Sequence, residues 1–329
     1  MKRRVLVPAV LGLLLAAACF AGLALGSARL GAGQVWAALR GGGSDTARLI
    51  LYGLRLPRVL GAALAGAGLA AAGVLLQSAT GNDLCSPSTV GVNAGAGLAV
   101  MTLLCLAPQA HGLLPAAAFG GALATTLAVL GVSIGAGGHS SRTTVVLAGV
   151  AVSALLNAGI SFFSQLYPDV LGSYAAFSAG GFSGVQAADL PVPAAMVAAG
   201  LALARVLAPR LNLLSLGDEL ARSLGVRVQA LRLGTLALAS ALCAAVVTYA
   251  GLLGFVGLMA PHIARRLAGS DVRALLGTGA LLGALLVVLA DLAARTLFTP
   301  AELPAGILLA ALGAPFFLIL LLRRRTFYD

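Results

Sequence analysis

The residue types that most often carry chemistry are few in this chain and lie far apart. Three histidines share no spacing that would let them bind one metal ion: His111, His139 and His262. Four cysteines form no CxxC pair, and three of them lie inside apolar runs: Cys19, Cys85, Cys105 and Cys243. We interpret these cysteines as small buried hydrophobic residues. The pattern predicts no metal site and no catalytic residue.

The chain also lacks the residue that a phosphate-binding P-loop requires. Its single lysine is Lys2, whereas the P-loop lysine must follow a glycine-rich turn after a strand. We therefore expect that the chain binds no cofactor itself and does not bind ATP by a P-loop.

The remaining residues indicate a protein whose solvent is lipid. The chain is 60% hydrophobic and 9% charged, with a mean hydropathy of +1.02, whereas soluble domains are about 25% charged. Between Arg58 and Asp83 lie 24 uncharged residues, enough to cross a hydrocarbon core roughly 30 Å thick. The net charge of +11 comes from arginines between apolar runs, where they meet anionic lipid headgroups. We do not expect a nucleic-acid partner.

Charge-poor runs predict an all-α integral membrane protein with a single transmembrane domain over residues 1–329. The first run follows Lys2 and resembles a signal peptide, but its length exceeds the usual 7–15 residues, so we interpret it as a retained span. Ten spans are predicted: 5–26, 58–79, 88–107, 114–134, 143–166, 190–207, 229–250, 254–268, 274–296 and 304–322.

The distribution of positive charge orients these spans. With both termini in the cytoplasm, 15 of the 21 Lys and Arg residues lie on the cytoplasmic side. This excess is the one that the positive-inside rule favours. The sequence therefore predicts cytoplasmic termini.

Ionisable groups are almost absent within the spans. Asp291 and Arg295 are four residues apart and are expected to pair on one helix. No chain of Asp, Glu or His crosses the predicted bilayer, and this counts against an ion-coupled secondary transporter. A membrane enzyme is the other open alternative, although no cluster of nucleophile, acid or metal ligands supports it.

A polar segment between the sixth and seventh spans, residues 211–232, predicts a short amphipathic helix. Ser215 is placed to cap it, and Asp218 and Glu219 fall in its first turn. An apolar stripe and a terminating glycine complete the pattern: Leu216, Leu220, Leu224 and Gly225. The helix could lie on the membrane surface or receive a cytoplasmic protein, and its acidic start suits a protein groove better.

Polar residues also gather at two predicted cytoplasmic turns and at the outer ends of two spans. The turns are Gly81–Pro87 and His139–Thr144, both rich in turn-forming or hydroxyl residues. Outside, a ring of three arginines is expected to attract an acidic partner: Arg55, Arg58 and Arg295.

Five ordered segments of the chain closely resemble the permease family of bacterial importers for iron-siderophores, haem and cobalamin, the type II ABC importers. The densest match is RLPRVLGAALAGAGLAAAGVLLQSATGNDLCSPSTVGVNAGAG (residues 55–97). The others are LNLLSLGDELARSLGV (211–226), GFVGLMAPHIARRLAGSD (254–271), ADLAART (290–296) and ELPAGILLAALGAPFF (302–317).

The resemblance implies ten helices per subunit and pairing with a second permease copy, as a homodimer or close heterodimer. It implies two cytoplasmic ATPase subunits, which use ATP and Mg and dock on residues 209–228. It also implies a periplasmic or lipid-anchored binding protein on the other side of the inner membrane. The cargo is expected to be an iron chelate, a siderophore complex or haem, with cobalamin as the alternative, because permeases for all three share these motifs.

The family's functional positions carry over residue by residue. Arg55, Arg58 and Arg295 would dock the binding protein. The cytoplasmic gate would comprise Asn82, Asp83, Leu84, Arg142 and Thr143. The ATPase-coupling residues would be Leu213, Ser215, Leu216, Gly217, Asp218, Glu219, Leu220, Ala221, Leu224 and Gly225.

The chain departs from the family pattern at two places. Asp83 stands where the turn usually has proline, which adds a charge beside the expected gate. A tryptophan that commonly lies near a Gly-Ser pair is absent, and the chain has Phe177 and the glycines 180 and 181 in that region.

Overall fold

The computed structural model describes residues 2–26, 31–135, 142–297 and 301–325, and these ranges contain helices and no strand. A π-helical turn, Leu49–Arg55, leads directly into the fourth helix. The α-helices in these ranges are α1 Lys2–Ala24, α2 Ala32–Leu39, α3 Asp45–Arg48, α4 Leu56–Thr80, α5 Val92–Leu106, α6 Leu114–Gly135, α7 Arg142–Leu166, α8 Leu171–Ala179, α9 Pro191–Leu214, α10 Asp218–Ser223, α11 Val228–Ala250, α12 Val256–Ala268, α13 Val272–Thr296 and α14 Ala305–Arg325.

Each of the ten predicted spans coincides with one of these helices. The predicted split after residue 250 is confirmed, because the chain leaves the helix at Gly251 and resumes at Val256. Seven helical stretches are long and apolar enough to cross a membrane, while α5 and α14 are shorter apolar helices. Helix α12 has 13 residues, about 20 Å at 1.5 Å per residue, which is less than a hydrocarbon core. The number of spans therefore stays a prediction.

Two predicted boundaries, the end of the sixth span and the start of the coupling segment, were wrong. The sixth span was predicted to end at residue 207, but α9 continues through Pro209 to Leu214. The expected coupling segment, 209–228, therefore begins inside a helix, and Leu213 belongs to α9. Helices α2, α3 and α8 were not predicted at all, because each is too short to stand out from its apolar surroundings.

Helix α4 lies at the centre of the bundle, and 78% of its span is buried. Its glycines allow other helices to approach at backbone distance. A Cβ atom at Gly66 would collide with the carbonyl of Gly283 in α13, and one at Gly73 would collide with the carbonyl of Gly257 in α12. Helices in lipid have no hydrophobic driving force for association, so they associate through the close packing that small residues allow. The small residues of this helix therefore form a packing surface.

Candidate functional site

Charged residues collect at one end of the bundle, which we call the arginine end after Arg55, Arg58 and Arg295. Arg58 donates from Nε to both carboxylate oxygens of Asp291 at 3.0 Å, and from Nη1 to Glu302 Oε2 at 2.7 Å. The Asp291 side chain is only 2% exposed, whereas that of Glu302 is 35% exposed. The predicted pairing of Asp291 with Arg295 is confirmed, at 3.7 Å.

The other two arginines bind the C-terminal end of α1. Arg55 Nη1 donates to the carbonyl oxygens of Leu23 and Ala24, at 2.6 and 2.8 Å. Arg295 Nη2 donates to Gly22 O at 2.6 Å. The last carbonyls of a helix have no partner within the helix and carry partial negative charge, so cations stabilise them. These contacts tie α1 to α4 and α13.

The expected exposed cationic ring is therefore not what the structure contains. Arg55 and Arg295 are 5% and 4% exposed, and all three guanidinium groups are engaged within the chain. The anions that bind Arg58 and Arg295 are Asp291 and Glu302. The sequence analysis paired Asp291 with Arg295 alone and did not include Glu302. Contact with a binding protein stays a prediction, and Arg58 is the best placed of the three because its partner Glu302 is the most exposed of the acidic groups.

At the opposite end of the bundle, which we call the coupling end, α10 forms the short helix that the sequence predicted. Asp218 and Glu219 occupy its first turn, and Gly225 has the left-handed φ of +82° that terminates such helices. The three leucines of the predicted stripe are exposed: Leu216 by 59%, Leu220 by 49% and Leu224 by 54%. With Ser223, the first two leucines line a shallow groove. This end presents an uncovered apolar surface.

The predicted cap of α10 was wrong. Gly217, at φ +113°, precedes the helix and has no side chain to offer, while Ser215 Oγ donates to Asn212 O at 2.7 Å. The reason is that α9 extends further than expected, so Ser215 completes its last turn instead of starting α10. Gly217 supplies the sharp change of direction between the two helices.

Two side chains fasten this segment to the rest of the bundle. Asn212 in α9 donates to Asp271 Oδ1 at 3.1 Å and accepts from the backbone of Val272 at 2.9 Å, which fixes the start of α13. Arg232 in α11 donates to both oxygens of Asp218 at 3.0 Å and to Ala79 O at 3.0 Å. None of these ties was predicted.

The turn after α4 also lies at the coupling end. Gly81 ends the helix with a left-handed φ of +60°, and Asn82 Oδ1 accepts from the backbone of Leu84 at 2.9 Å. Cys85 follows in the same turn and is 1% exposed. Burial raises the pKa of its thiol, although hydrogen bonds from neighbouring hydroxyls oppose this shift.

Asp83 forms an ion pair with Arg265 of α12. Arg265 Nη2 also donates to Gln77 Oε1 at 3.2 Å, and Gln77 Nε2 in turn donates to Gly257 O at 3.4 Å. The residue that departs from the family pattern thus connects the turn to α12. The sequence indicated an added charge at this position, and the structure pairs that charge with Arg265.

The second predicted constriction is only partly described. Residues 136–141 lie outside the described ranges, and so do the side chains of Arg142 and Thr143. The backbone of both residues forms the first turn of α7. Their role at a gate stays a prediction.

Helix α7 leaves a polar face uncovered, since only 17% of its span is buried. Four polar residues recur at intervals of four, on one face of the helix: Ser153, Asn157, Ser161 and Gln165. Ser153 is half-buried and the other three are exposed. Amide groups facing hydrocarbon would lose their hydrogen bonds with water. This face therefore belongs against a second protein surface or a water-filled path. The spacing was visible in the sequence and was overlooked.

A cavity of about 750 Å³ lies between α6, α8, α9 and α11, on the side of the bundle away from the coupling end. Its walls include Phe177, Met196 and Tyr249. Phe177 comes from the region where the family pattern commonly has tryptophan, and its carbonyl accepts from Leu252 N at 3.1 Å. The smaller aromatic residue thus borders open space at this position.

These features can be compared with known proteins. A family model described as the FecCD transport family matches residues 13–323. The chain is 40% identical over 319 residues to the achromobactin transport system permease protein of Dickeya dadantii, covering 95% of this chain and 90% of that protein. It is 36% identical over 314 residues to the hemin transport system permease protein of Yersinia pestis, covering 92% of each.

A solved structure, described as an inward-facing conformation of a metal-chelate type ABC transporter, superposes on this chain with a TM-score of 0.87. The two chains are 30% identical, and the match covers 96% of this chain and 99% of that one. The matched range takes in the arginine end, the coupling end and, among the long apolar helices of the described ranges, all except the first part of α1. The chain belongs to the FecCD transport family, and it is a multi-pass membrane permease of the ABC importer type.

Proposed function

We propose that this chain carries an iron chelate, a siderophore complex or haem, across the bacterial inner membrane by alternating access. Two cytoplasmic ATPase subunits supply the energy, using ATP and Mg, and a binding protein delivers the chelate. The chain works as a homodimer with both termini in the cytoplasm. Membership of the FecCD transport family supports transport over a covalent reaction, and the similarity to an ABC transporter favours ATP over an ion gradient.

The observation that carries the proposal is the leucine stripe of α10. Leu220 lies on a six-residue helix whose first turn is acidic, and Leu216 and Leu224 flank this helix; all three leucines are about half exposed or more. Exposed apolar surface rimmed by polar residues marks a protein–protein contact. An amphipathic helix meant for anionic lipid would carry Lys and Arg on its polar face instead of Asp218 and Glu219. An ATPase subunit is the partner that an ABC permease needs at this end.

The polar face of α7 supports a path shared by two copies. Its side chains are hydroxyls and amides without a charge, and both small residues and large apolar residues lie between them. Such a wall offers weak hydrogen bonds to a bulky polar cargo and no strong binding site, so the cargo can be released. Two copies that face each other through α7 would keep these groups away from lipid.

The iron-chelate assignment rests on the relatives. One of the two described above is named for achromobactin transport and the other for hemin transport. Their similarity to this chain covers nearly its whole length, so the shared helices are those that would surround the cargo.

Reconstitution in liposomes with the ATPase and the binding protein tests the proposal. The binding protein is first loaded separately with a ferric siderophore, with haem or with cobalamin. We expect ATP-dependent accumulation of an iron chelate, none with a non-hydrolysable nucleotide, and none when the binding protein is left out. Uptake of cobalamin alone would refute the assignment of cargo, and uptake driven by an ion gradient without ATP would refute the mechanism.

A further inference from the structure

The strongest unassigned feature is the pair of contacts made by Arg232 at the start of α11. Its side chain is 3% exposed and lies between two elements of the coupling end. On one side, Nη2 donates to both oxygens of Asp218 in α10, and on the other, Nε donates to Ala79 O at the end of α4. We propose that Arg232 is the positioning residue that transmits movement of α10 to the C-terminal end of α4. This proposal rests on the proposed function, because α10 moves only if an ATPase subunit docks there.

The contact with Ala79 reaches the part of α4 that precedes the predicted gate. Ala79 lies two residues before Gly81, where α4 ends, and Asn82 and Asp83 follow directly. The carbonyl of Ala79 is among the last four of the helix. These carbonyls accept no hydrogen bond from a backbone N–H of the helix, so a nearby cation stabilises them. A shift of the guanidinium group would therefore act on the end of the helix and on the turn attached to it.

The contact with Asp218 holds the guanidinium group in a defined orientation. A guanidinium group is planar and holds its donors in a rigid fork, so one arginine can bind a carboxylate and a carbonyl at defined positions. A lysine offers a single charged point on a flexible stem and cannot reproduce both contacts with the same geometry. Burial removes competing water from the contact with Ala79 O and makes it stronger than it would be at a surface, whereas the contact with Asp218 is only partly buried.

Another side-chain contact of the coupling end leads to α13 instead of α4. Asn212 ties α9 to the start of α13. Gly217 and Gly225 bound α10 at φ +113° and +82°, so the helix is joined to its neighbours by two backbone positions with glycine's freedom. Among the side-chain hydrogen bonds described above, those of Arg232 join α10 to α4.

A cysteine in the turn provides a reporter for this motion. Cys85 is buried in the turn after α4, and a variant lacking the other three cysteines (C19A, C105A and C243A) would leave it as the sole thiol. Labelling by a water-soluble maleimide then measures how often the turn opens. In the complete transporter, we expect ATP to change this rate at least about threefold when Arg232 is present.

Arg232→Gln is the main test, with Arg266→Gln as a matched control. Arg266 is an exposed arginine of α12 at the same end of the bundle. We expect R232Q to retain the bound ATPase and its hydrolysis, to lose the nucleotide response of Cys85, and to transport at least tenfold less cargo per ATP hydrolysed. R266Q should match the wild type in ATPase binding and hydrolysis, in the nucleotide response of Cys85 and in cargo transported per ATP. R232K should recover only part of the Cys85 response.

Asp218→Asn decides the outcome if R232Q does not fold, because Asp218 is 28% exposed and the substitution removes the charge that pairs with Arg232. We expect the same loss of coupling with the ATPase still bound. A wild-type Cys85 response or transport ratio in either variant would overturn the proposal. Loss of ATPase binding in both D218N and R232Q would also overturn it, because the Asp218–Arg232 pair would then serve docking. Failure of the wild-type chain to bind any ATPase would refute the proposed function instead.

Discussion

Arg58 of α4 holds Asp291 of α13 in a close ion pair, with Nε 3.0 Å from both carboxylate oxygens and Nη2 3.0 Å from Oδ1. The carboxylate is buried and also faces Arg295 at 3.7 Å. One buried anion thus faces two cations at the arginine end, Arg58 and Arg295. The burial of this cluster leads to a prediction about stability and another about docking.

Asp291→Asn should strongly destabilise the protein. Removing one member of a buried ion pair leaves uncompensated charge, which costs about 3–5 kcal/mol. The control is E302Q, whose partly exposed pair should contribute only about 0–1 kcal/mol. Thermal unfolding of both purified variants in one detergent measures the difference. Equal stability of D291N and E302Q would show that the cluster does not hold the helices together.

Glu302→Gln should strengthen binding of the delivery protein if Arg58 is a docking residue. Glu302 now occupies Nη1 of Arg58 at 2.7 Å, so an acidic residue of the partner must compete with it. Removing this competitor is worth no more than about 1 kcal/mol, or roughly a fivefold gain in affinity. Surface plasmon resonance at two salt concentrations measures it. Weaker binding by E302Q would make Glu302 itself a contact.

Replacing Leu216 and Leu220 by Asp should release the ATPase. Both side chains are about half exposed or more on the groove of α10, and a charge there would have to be buried in the interface. We expect co-purification in detergent to fall at least tenfold. The control is L106D, since Leu106 is 67% exposed but lies at the far end of α5. Retention of the ATPase by the double variant would favour a membrane-surface role for α10.

Asp83→Asn should loosen the turn after α4. The substitution removes the ion pair with Arg265, so Cys85 should become accessible more often. Burial raises the pKa of the Cys85 thiol, which means that less thiolate is present at a given pH in the closed turn. We expect maleimide labelling at pH 8 to be slow in the wild type and at least about fivefold faster in D83N. Equal rates would mean that the ion pair does not restrain the turn.

Gly66→Ala should destabilise the bundle, and Gly12→Ala should not. A Cβ atom at Gly66 collides with the backbone of α13, whereas one at Gly12 in α1 meets no atom within 4 Å. Overpacking costs about 1–3 kcal/mol, while an unhindered alanine in a helix gains roughly 1 kcal/mol over glycine. Thermal unfolding in detergent measures both. A neutral G66A would show that α4 and α13 can separate without loss.

Much of the fold was predictable because lipid imposes a simple rule. A long charge-free run in lipid must be helical to satisfy its backbone groups, so most of the predicted spans followed from apolar length. Turn chemistry was equally local: Gly225 ends α10, and Asn82 organises the turn after α4, as their residue types indicate. The coupling helix and its leucine stripe followed from spacing within one short segment.

The partners of the charged residues were not predictable. Arg232 and Asp218 lie 14 residues apart, Arg265 and Asp83 182 apart, and Arg58 and Asp291 233 apart. Nothing in a local pattern selects one such pair over another, because the choice depends on how α4 packs against α11, α12 and α13. For the same reason the sequence analysis interpreted Arg55, Arg58 and Arg295 as an exposed ring, because their partners within the chain were not visible.

The sequence by itself determined a helical membrane protein, its family and the residues gathered at each end, since hydropathy, charge and turn preferences act over a few residues. Tertiary structure decided which arginine meets which carboxylate or carbonyl. Glycines such as Gly66 and Gly73 allow the helices to approach closely, and only that approach brings distant side chains within hydrogen-bonding distance.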